Sequence, residues 1–318
     1  MRTAFLGTSD FAAAVLERLA ASDHRPSLVL SRPDRPRGRG RRMSAPPVAE
    51  RARALEIALE QPERVNEPLV LDRIAQARPD VVVVCAFGAL IKEPLLSAHE
   101  LLNVHPSLLP RWRGAAPIER AIMAGDERTG VSIMRLTAGL DSGPVCLAAS
   151  EPITLEDTYG SLAARLREIG GEALVRTLDL IAAGEPPPFA EQDEGGVTYA
   201  EKIGSEDRML DPTRLASELE RVVRALQPHI GAQVALADGT LLGVHRARTA
   251  QISSSDGDPA DVGMVDHSQP QAGVTQQSGR LLLGCRIGVL ELLEVQPPGG
   301  RAMDASAYLR GRGLPVRR

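Results

Sequence analysis

Asn103 and His105 are the first residues in this chain whose types and spacing suggest chemistry. They stand one residue apart at the end of an apolar run that begins Leu101-Leu102. On an extended strand alternate residues share a face, so the amide and the imidazole point together while Val104 points away. Pro106 ends the ladder by removing a backbone donor, and Pro110 stiffens the turn that follows. An amide NH₂ is a fixed donor to an oxygen on which charge develops, and an imidazole gives or takes a proton near neutral pH. Asp141, inside Gly139-Leu-Asp-Ser-Gly143, is a third candidate, able to orient His105 or to carry protons through a water. Each residue also has a plainer role. His105 before a proline can satisfy a buried turn, Asp141 between glycines can be a turn residue, and Trp112 reads as a packed anchor rather than a nucleobase platform.

The elements needed to position these groups follow the chain in order. Thr3–Leu6 reads as a short strand, Gly7-Thr-Ser-Asp10 as a tight connection, and Phe11, Val15, Leu16 and Leu19 as one face of a helix capped by Ser9 or Asp10. No second or third glycine follows to make a dinucleotide fingerprint. Ser27–Leu30 reads as a second strand, Val48–Leu55 and Leu69–Ile74 as helices, and Ile57–Leu59 as a short strand. Asp80-Val-Val-Val-Val-Cys85 is β-branched on both faces, as in a buried parallel strand. Gly88 in the loop that follows permits close backbone approach. Pro117 suits a helix start, with Ile118, Ala121 and Ile122 inward and Gly125 at its end. Val131–Leu136 and Val145–Leu147 read as strands, and Asp157 as the cap of a long amphipathic helix through Leu178. Strands alternating with helices predict a mostly parallel, Rossmann-like α/β sheet with helices on both faces, its ligand crevice at the strands' carboxyl ends.

Composition limits the alternatives. With 318 residues, 43% of them hydrophobic, and a formal net charge of −4, the chain predicts an ordinary globular protein of two domains. No run approaches the roughly 20 apolar residues that span a bilayer, and the chain enters a strand without a signal-peptide pattern, so a cytoplasmic protein with no membrane partner is expected. Cys85, Cys146 and Cys285 lack metal spacing, so free thiols and no metal are expected. Lys92 and Lys202 are the only lysines, which makes any cluster of arginines less informative than usual.

One such cluster is conspicuous. Arg32, Arg35, Arg37, Arg39, Arg41 and Arg42 alternate with Pro33, Pro36, Gly38 and Gly40, a composition that predicts an irregular loop. From charge alone it is equally a solvated excursion or a grip on phosphates. Farther on, Gly184-Glu-Pro-Pro-Pro188 and the polar residues after it read as a linker. Beyond it a helix through Leu215, Leu219, Val222, Val223 and Leu226 precedes five short strands, Gln233–Leu236, Thr240–Val244, Gly263–Val265, Arg280–Leu283 and Val289–Glu294, which predict a small β-barrel. Ser253–Asp261 reads as an acidic, mobile loop.

Taken together, Asn103-Val-His-Pro-Ser-Leu-Leu-Pro110, Arg111-Trp-Arg-Gly-Ala-Ala-Pro-Ile118 and Gly139-Leu-Asp-Ser-Gly143 resemble the folate-dependent formyltransferases, in particular those that act on charged initiator tRNA. The likeness extends through Gly7-Thr-Ser-Asp-Phe-Ala12, Arg32-Pro-Asp-Arg-Pro36, Val197-Thr-Tyr-Ala-Glu-Lys202 and Gln296-Pro-Pro-Gly-Gly-Arg-Ala-Met303, and so covers both halves in order. Ser9, Phe87 and His229 depart from the family's usual proline, tyrosine and tryptophan. The resemblance implies transfer of the formyl group of 10-formyltetrahydrofolate to the α-amino group of initiator methionyl-tRNA, with Asn103, His105 and Asp141 catalytic and no metal. It implies a folate site made of Phe87, Gly88, Ala89, Leu90, Ser107, Leu108, Leu109, Pro110, Gly139 and Ser142, and tRNA contacts from Arg37, Arg39, Arg41 and Arg42. The expected organisation is a catalytic domain over 1–186, a linker over 187–206 and an OB-like, tRNA-binding barrel over 207–318, in a monomer. Relatives acting on glycinamide ribonucleotide or sugar amines share the Asn, His and Asp, so a small-molecule acceptor stays open, as does an RNA-binding protein without catalysis.

Overall fold

The structure, a computed structural model, describes residues 1–37, 42–250 and 273–314. The expected strand Gly263–Val265 and the acidic loop Ser253–Asp261 lie outside the described residues. The described chain divides into two compact units, one of residues 1–117, 128–152 and 162–201, the other of 118–127, 153–161 and the described residues from 202 onward.

The first unit is built on a seven-stranded sheet in the order Val145–Pro152, Arg128–Arg135, Leu101–His105, Val81–Cys85, Thr3–Gly7, Pro26–Leu30, Ala58–Glu60. The last five strands of that row run parallel, and the first two are antiparallel to their neighbours. Every residue of Val81–Cys85 and of Leu101–His105 is buried, as a sheet covered on both faces requires. One face carries Ala4, Leu6, Leu28, Leu30, Val82, Val84 and Leu101, which cluster with Ile74 and Leu95. The other face includes Val104 and Val131, against which Gly170 of the long helix Tyr159–Ala182 packs so closely that a Cβ would stand 3.2 Å from Val104. Ser9 caps the helix Asp10–Ala20, its side chain accepting from the Ala12 amide at 3.2 Å. Prolines open the helices Pro47–Ala54, Pro68–Ala77 and Pro117–Ala124, where a missing amide hydrogen costs nothing.

Two short pieces differ from the expectation. The arginine-rich segment is not irregular throughout, because Arg35–Arg37 pairs antiparallel with Arg42–Ser44. Pro36 fits there because a two-stranded ribbon leaves one side of each strand unpaired, where no amide donor is needed. In the segment read as a linker, Ala190 bridges to Val145, and Tyr199–Ala200 pairs in parallel with Arg113–Gly114.

The second unit carries an antiparallel, half-barrel sheet in the order Ala232–Ala235, Leu241–Ala250, Val289–Gln296, Arg280–Gly284, Val274–Gln277, with Met303–Asp304 also on Val289–Gln296. The helix Ala216–Ala225 buries Leu219, Val222 and Val223 against Leu242, Val244, Leu281, Leu290 and Val295. Among the described residues no helix is long and apolar enough to cross a membrane, and no group of three or more His, Cys, Asp or Glu is placed to hold a metal ion. The three cysteines are free thiols.

Candidate active site

His105 ends its strand, and the chain turns sharply after Pro106. The Ser107 amide donates to the His105 carbonyl at 2.9 Å, and the buried Ser107 hydroxyl donates to the Arg111 carbonyl at 2.6 Å. Ser132 braces the same turn from the neighbouring strand, donating to the Ser107 carbonyl at 2.8 Å and accepting from the Leu109 amide at 3.1 Å. The turn thereby presents the carbonyl of Trp112 to His105, whose Nε2 lies 2.9 Å from that oxygen. A carbonyl only accepts, so Nε2 carries the hydrogen and Nδ1 of the neutral ring holds the free lone pair. Nδ1 is 3.7 Å from Asp141 Oδ2.

Asp141 reaches this place by an indirect route. Its loop leaves the strand Arg128–Arg135, where the Leu136 amide donates to the Leu101 carbonyl, and is closed at its base by the Arg135 amide donating to the Pro144 carbonyl at 2.9 Å. Between those points it doubles back over the face bearing Asn103 and His105. Asn103 Nδ2 donates to Asp141 Oδ1 at 3.4 Å, and the Gly114 amide donates to Oδ2 at 2.9 Å. The side chains of His105 and Asp141 are only 5% and 14% exposed, so an imidazolium formed at His105 would face the carboxylate through little water. Ala86, Trp112 and Asp141 all have positive φ, at 43°, 64° and 44°. Such conformations cost non-glycine residues on the order of 1–3 kcal/mol each and persist where the surroundings impose them, commonly at functional sites.

The structure therefore brings Asn103, His105 and Asp141 together. The segments expected to meet a folate lie beside them. Phe87 is buried with its carbonyl accepting from the Thr8 hydroxyl at 2.7 Å, Ala89 is half-buried, and Leu90 is 66% exposed. Gly88 has φ +72 and open space where a Cβ would stand. Gly139 and Leu140 are exposed, and the Ser142 hydroxyl meets that of Thr137 at 3.4 Å. Ser107, Leu108, Leu109 and Pro110 form the turn just described, with Leu108 against Gly130. Arg37 and Arg42 occupy paired register positions in the ribbon and Arg42 is exposed, whereas Arg39 and Arg41 lie outside the described residues. Several contributors carried no sequence signal of their own. The Trp112 carbonyl and the Gly114 amide are backbone groups, and Gln192, which donates to the Asp141 and Gly143 carbonyls, sits in the polar run that reads as a linker. Only the motif Arg111–Ile118 pointed toward the first two.

Comparison with known proteins identifies the family. Residues 1–178 match the family described as Formyl transferase, and residues 202–313 the Formyl transferase, C-terminal domain. The methionyl-tRNA formyltransferase of Halorhodospira halophila is 41% identical over 315 residues, covering 98% of this chain and 97% of that protein. That of Methylococcus capsulatus is 40% identical over 320 residues, covering 100% and 99%. Among solved structures, HypX from Aquifex aeolicus in complex with tetrahydrofolic acid has a TM-score of 0.63 at 17% identity, covering 97% of this chain and 47% of HypX, so this chain spans about half of it. The N-formyltransferase from Helicobacter canadensis, in complex with folinic acid and dTDP-3-aminofucose, has a TM-score of 0.63 at 12% identity, covering 91% and 98%. At those identities the two structures attest the fold. Fold and sequence thus converge, and the chain belongs to the formyl transferase family, among the methionyl-tRNA formyltransferases.

Proposed function

We propose that the protein transfers the formyl group of 10-formyltetrahydrofolate to the α-amino group of initiator methionyl-tRNA, for translation initiation. The observation that carries the reading is the contact of His105 Nε2 with the Trp112 carbonyl at 2.9 Å, which leaves Nδ1 of the neutral ring without the hydrogen. With Nε2–H held by the Trp112 carbonyl, Nδ1 is the available base beside Asn103 and Asp141. The folate co-substrate supplies an electrophilic formyl carbon. Asn103 has one amide hydrogen directed at Asp141 and a second for the oxygen on which charge grows. His105 takes the proton released by the attacking amine at Nδ1, Asp141 stabilises the resulting imidazolium from 3.7 Å, and the proton passes to the folate N10 as its bond to the formyl carbon breaks and tetrahydrofolate leaves. An α-amino group has a reference pKa of about 7.7–8.0, so a weak base is sufficient.

The open ground at Gly88, where a Cβ would meet nothing within 4 Å, and the exposed Leu90 and Leu140 suit a flat, partly apolar ring. We assign the folate to residues 86–90 and 138–143, with Ser107–Pro110 alongside. The first unit is the catalytic part, the second unit and Arg37, Arg39, Arg41 and Arg42 engage the tRNA, and the protein acts as a cytoplasmic monomer. The test is to offer purified protein 10-formyltetrahydrofolate with charged initiator tRNA, glycinamide ribonucleotide or a sugar amine in separate reactions. Formylation of the tRNA is expected. Asn103→Ala, His105→Ala and Asp141→Ala should each reduce it severely, the first on the order of 10²- to 10³-fold as for loss of one oxyanion donor. A folded variant with wild-type turnover would remove its residue from the mechanism, and preference for a small amine would overturn the acceptor.

A further inference from the structure

Gln192 lies outside the motifs that carry Asn103, His105 and Asp141, in the polar run from Glu191 to Glu194. Its Nε2 nevertheless donates twice into the Asp141 loop, to the carbonyl of Asp141 at 2.8 Å and to that of Gly143 at 2.7 Å. Its Oε1 accepts from Nε of Arg113 at 2.9 Å. Arg113 is itself 4% exposed, and its Nη2 pairs with Glu194 at 3.1 Å. These partners allow the amide one orientation only. Turned over, its oxygen would face two carbonyls and its NH₂ a guanidinium.

The loop needs such a tie. Asp141 sits at φ +44, a left-handed conformation that is uncommon for any residue with a Cβ, although aspartate tolerates it better than most. The bond between the Arg135 amide and the Pro144 carbonyl closes only the loop's base. At its crown the carboxylate is held by the Gly114 amide and the backbone by Gln192. Arg113 and Gly114 adjoin in sequence, so one short strand supports the carboxylate directly and the loop backbone through Gln192. That strand is in turn paired with Tyr199–Ala200, a few residues beyond Gln192.

We propose that Gln192, locked by Arg113, is a positioning residue for Asp141, which makes the segment around residue 192 a part of the formyl-transfer machinery. The proposal rests on the function proposed above. Displacing a catalytic group by about 1 Å can cost on the order of 10²-fold in rate. The test uses the full-length protein with Gln192→Met, which keeps the length of the side chain without donors, and Gln192→Glu, which keeps the acceptor for Arg113 but sets a negative charge against two carbonyls. Formyl transfer is measured as kcat and KM separately, and amide hydrogen exchange is followed along the chain. For Gln192→Met we expect kcat to fall about 10- to 100-fold, KM for the acceptor to hold, and protection to drop at residues 139–143 but not across the sheet. Gln192→Glu should be the more damaged of the two. Wild-type kcat in Gln192→Met overturns the proposal, and so does a loss of protection spread over the whole first unit, which marks a general structural role. Should the wild-type protein formylate no amine, the functional reading falls, and exchange alone then decides the clasp: unchanged protection at 139–143 overturns it.

Discussion

At the scale of single residues, the site depends on backbone groups as much as on the side chains that announce it. His105 takes its tautomer from the carbonyl of Trp112, and Asp141 takes its position from the amide of Gly114. Asn103, His105 and Asp141 were legible because an amide, an imidazole and a carboxylate are chemically distinctive and the first two alternate on a strand. A carbonyl or an amide hydrogen belongs to every residue, so nothing in the sequence singles out the two that matter. Gly114 exposes this dependence to test. It has φ +123, and a Cβ there would stand 2.7 Å from the Ala200 carbonyl oxygen. Gly114→Ala must therefore displace the paired strand, the amide that holds Asp141, or both. Strain at such a backbone position is worth on the order of 1–3 kcal/mol, so the urea midpoint should fall, and formyl transfer should fall further than stability alone explains. Unchanged turnover would show that Asp141 keeps its place without that amide.

Among the elements, legibility followed burial. Val81–Cys85 read correctly because a strand buried on both faces tends to be continuously apolar, and Leu101–His105 because Leu101, Leu102 and Val104 keep an apolar run around the buried Asn103 and His105. Short or polar strands escaped the same reasoning. Val274–Gln277 is mostly exposed, Tyr199–Ala200 has two residues, and neither is long enough to show a period. The ribbon Arg35–Arg37 with Arg42–Ser44 was hidden by its proline and glycines. Its register opposes Arg37 and Arg42 directly. Like charges so placed destabilise a two-stranded pair, and an anion between them reverses the sign. A phosphate backbone is such an anion, which is the contact proposed above for these arginines. Arg42→Ala should weaken binding of charged initiator tRNA and lower the log-log salt slope by about 0.7–0.9 for one lost phosphate contact. Affinities across a salt series measure both quantities, with folate binding as the control expected to hold. A slope equal to wild type would return the ribbon to a solvent-facing role.

For the whole molecule, the two units are not two consecutive lengths of chain. Residues 118–127 and 153–161 group with the second unit although strands of the first lie on either side of them in sequence. Within that unit Glu119 pairs with His229 at 2.9 Å, His229 stacks on Tyr159 with ring centroids 3.7 Å apart, and Arg120 makes a two-bond contact with Asp207 at 2.7 and 3.0 Å. A composition shift marks where the polar segment near residue 184 begins, but an amphipathic helix such as Pro117–Ala124 looks the same whichever unit receives its apolar face. The second unit also holds the clearest source of acid sensitivity. Glu291, on Val289–Gln296, accepts from Arg280 at 2.8 and 2.7 Å and from Arg248 at 2.8 Å on the two adjoining strands. Hydrogen bonding to Arg280, with Arg248 adding to it against the opposing effect of burial, lowers the Glu291 pKa from 4.5 to about 2. A carboxylate with a depressed folded-state pKa binds fewer protons folded than unfolded at intermediate pH, so its stabilisation is complete above its ordinary value and is lost as pH falls toward the folded value. Glu291→Gln removes the charge at every pH. The variant should therefore melt below wild type at neutral pH, and the gap between their thermal midpoints should close as pH falls from 4.5 toward 2. A gap that stays constant over that interval would mean that the three side chains contribute through packing rather than charge.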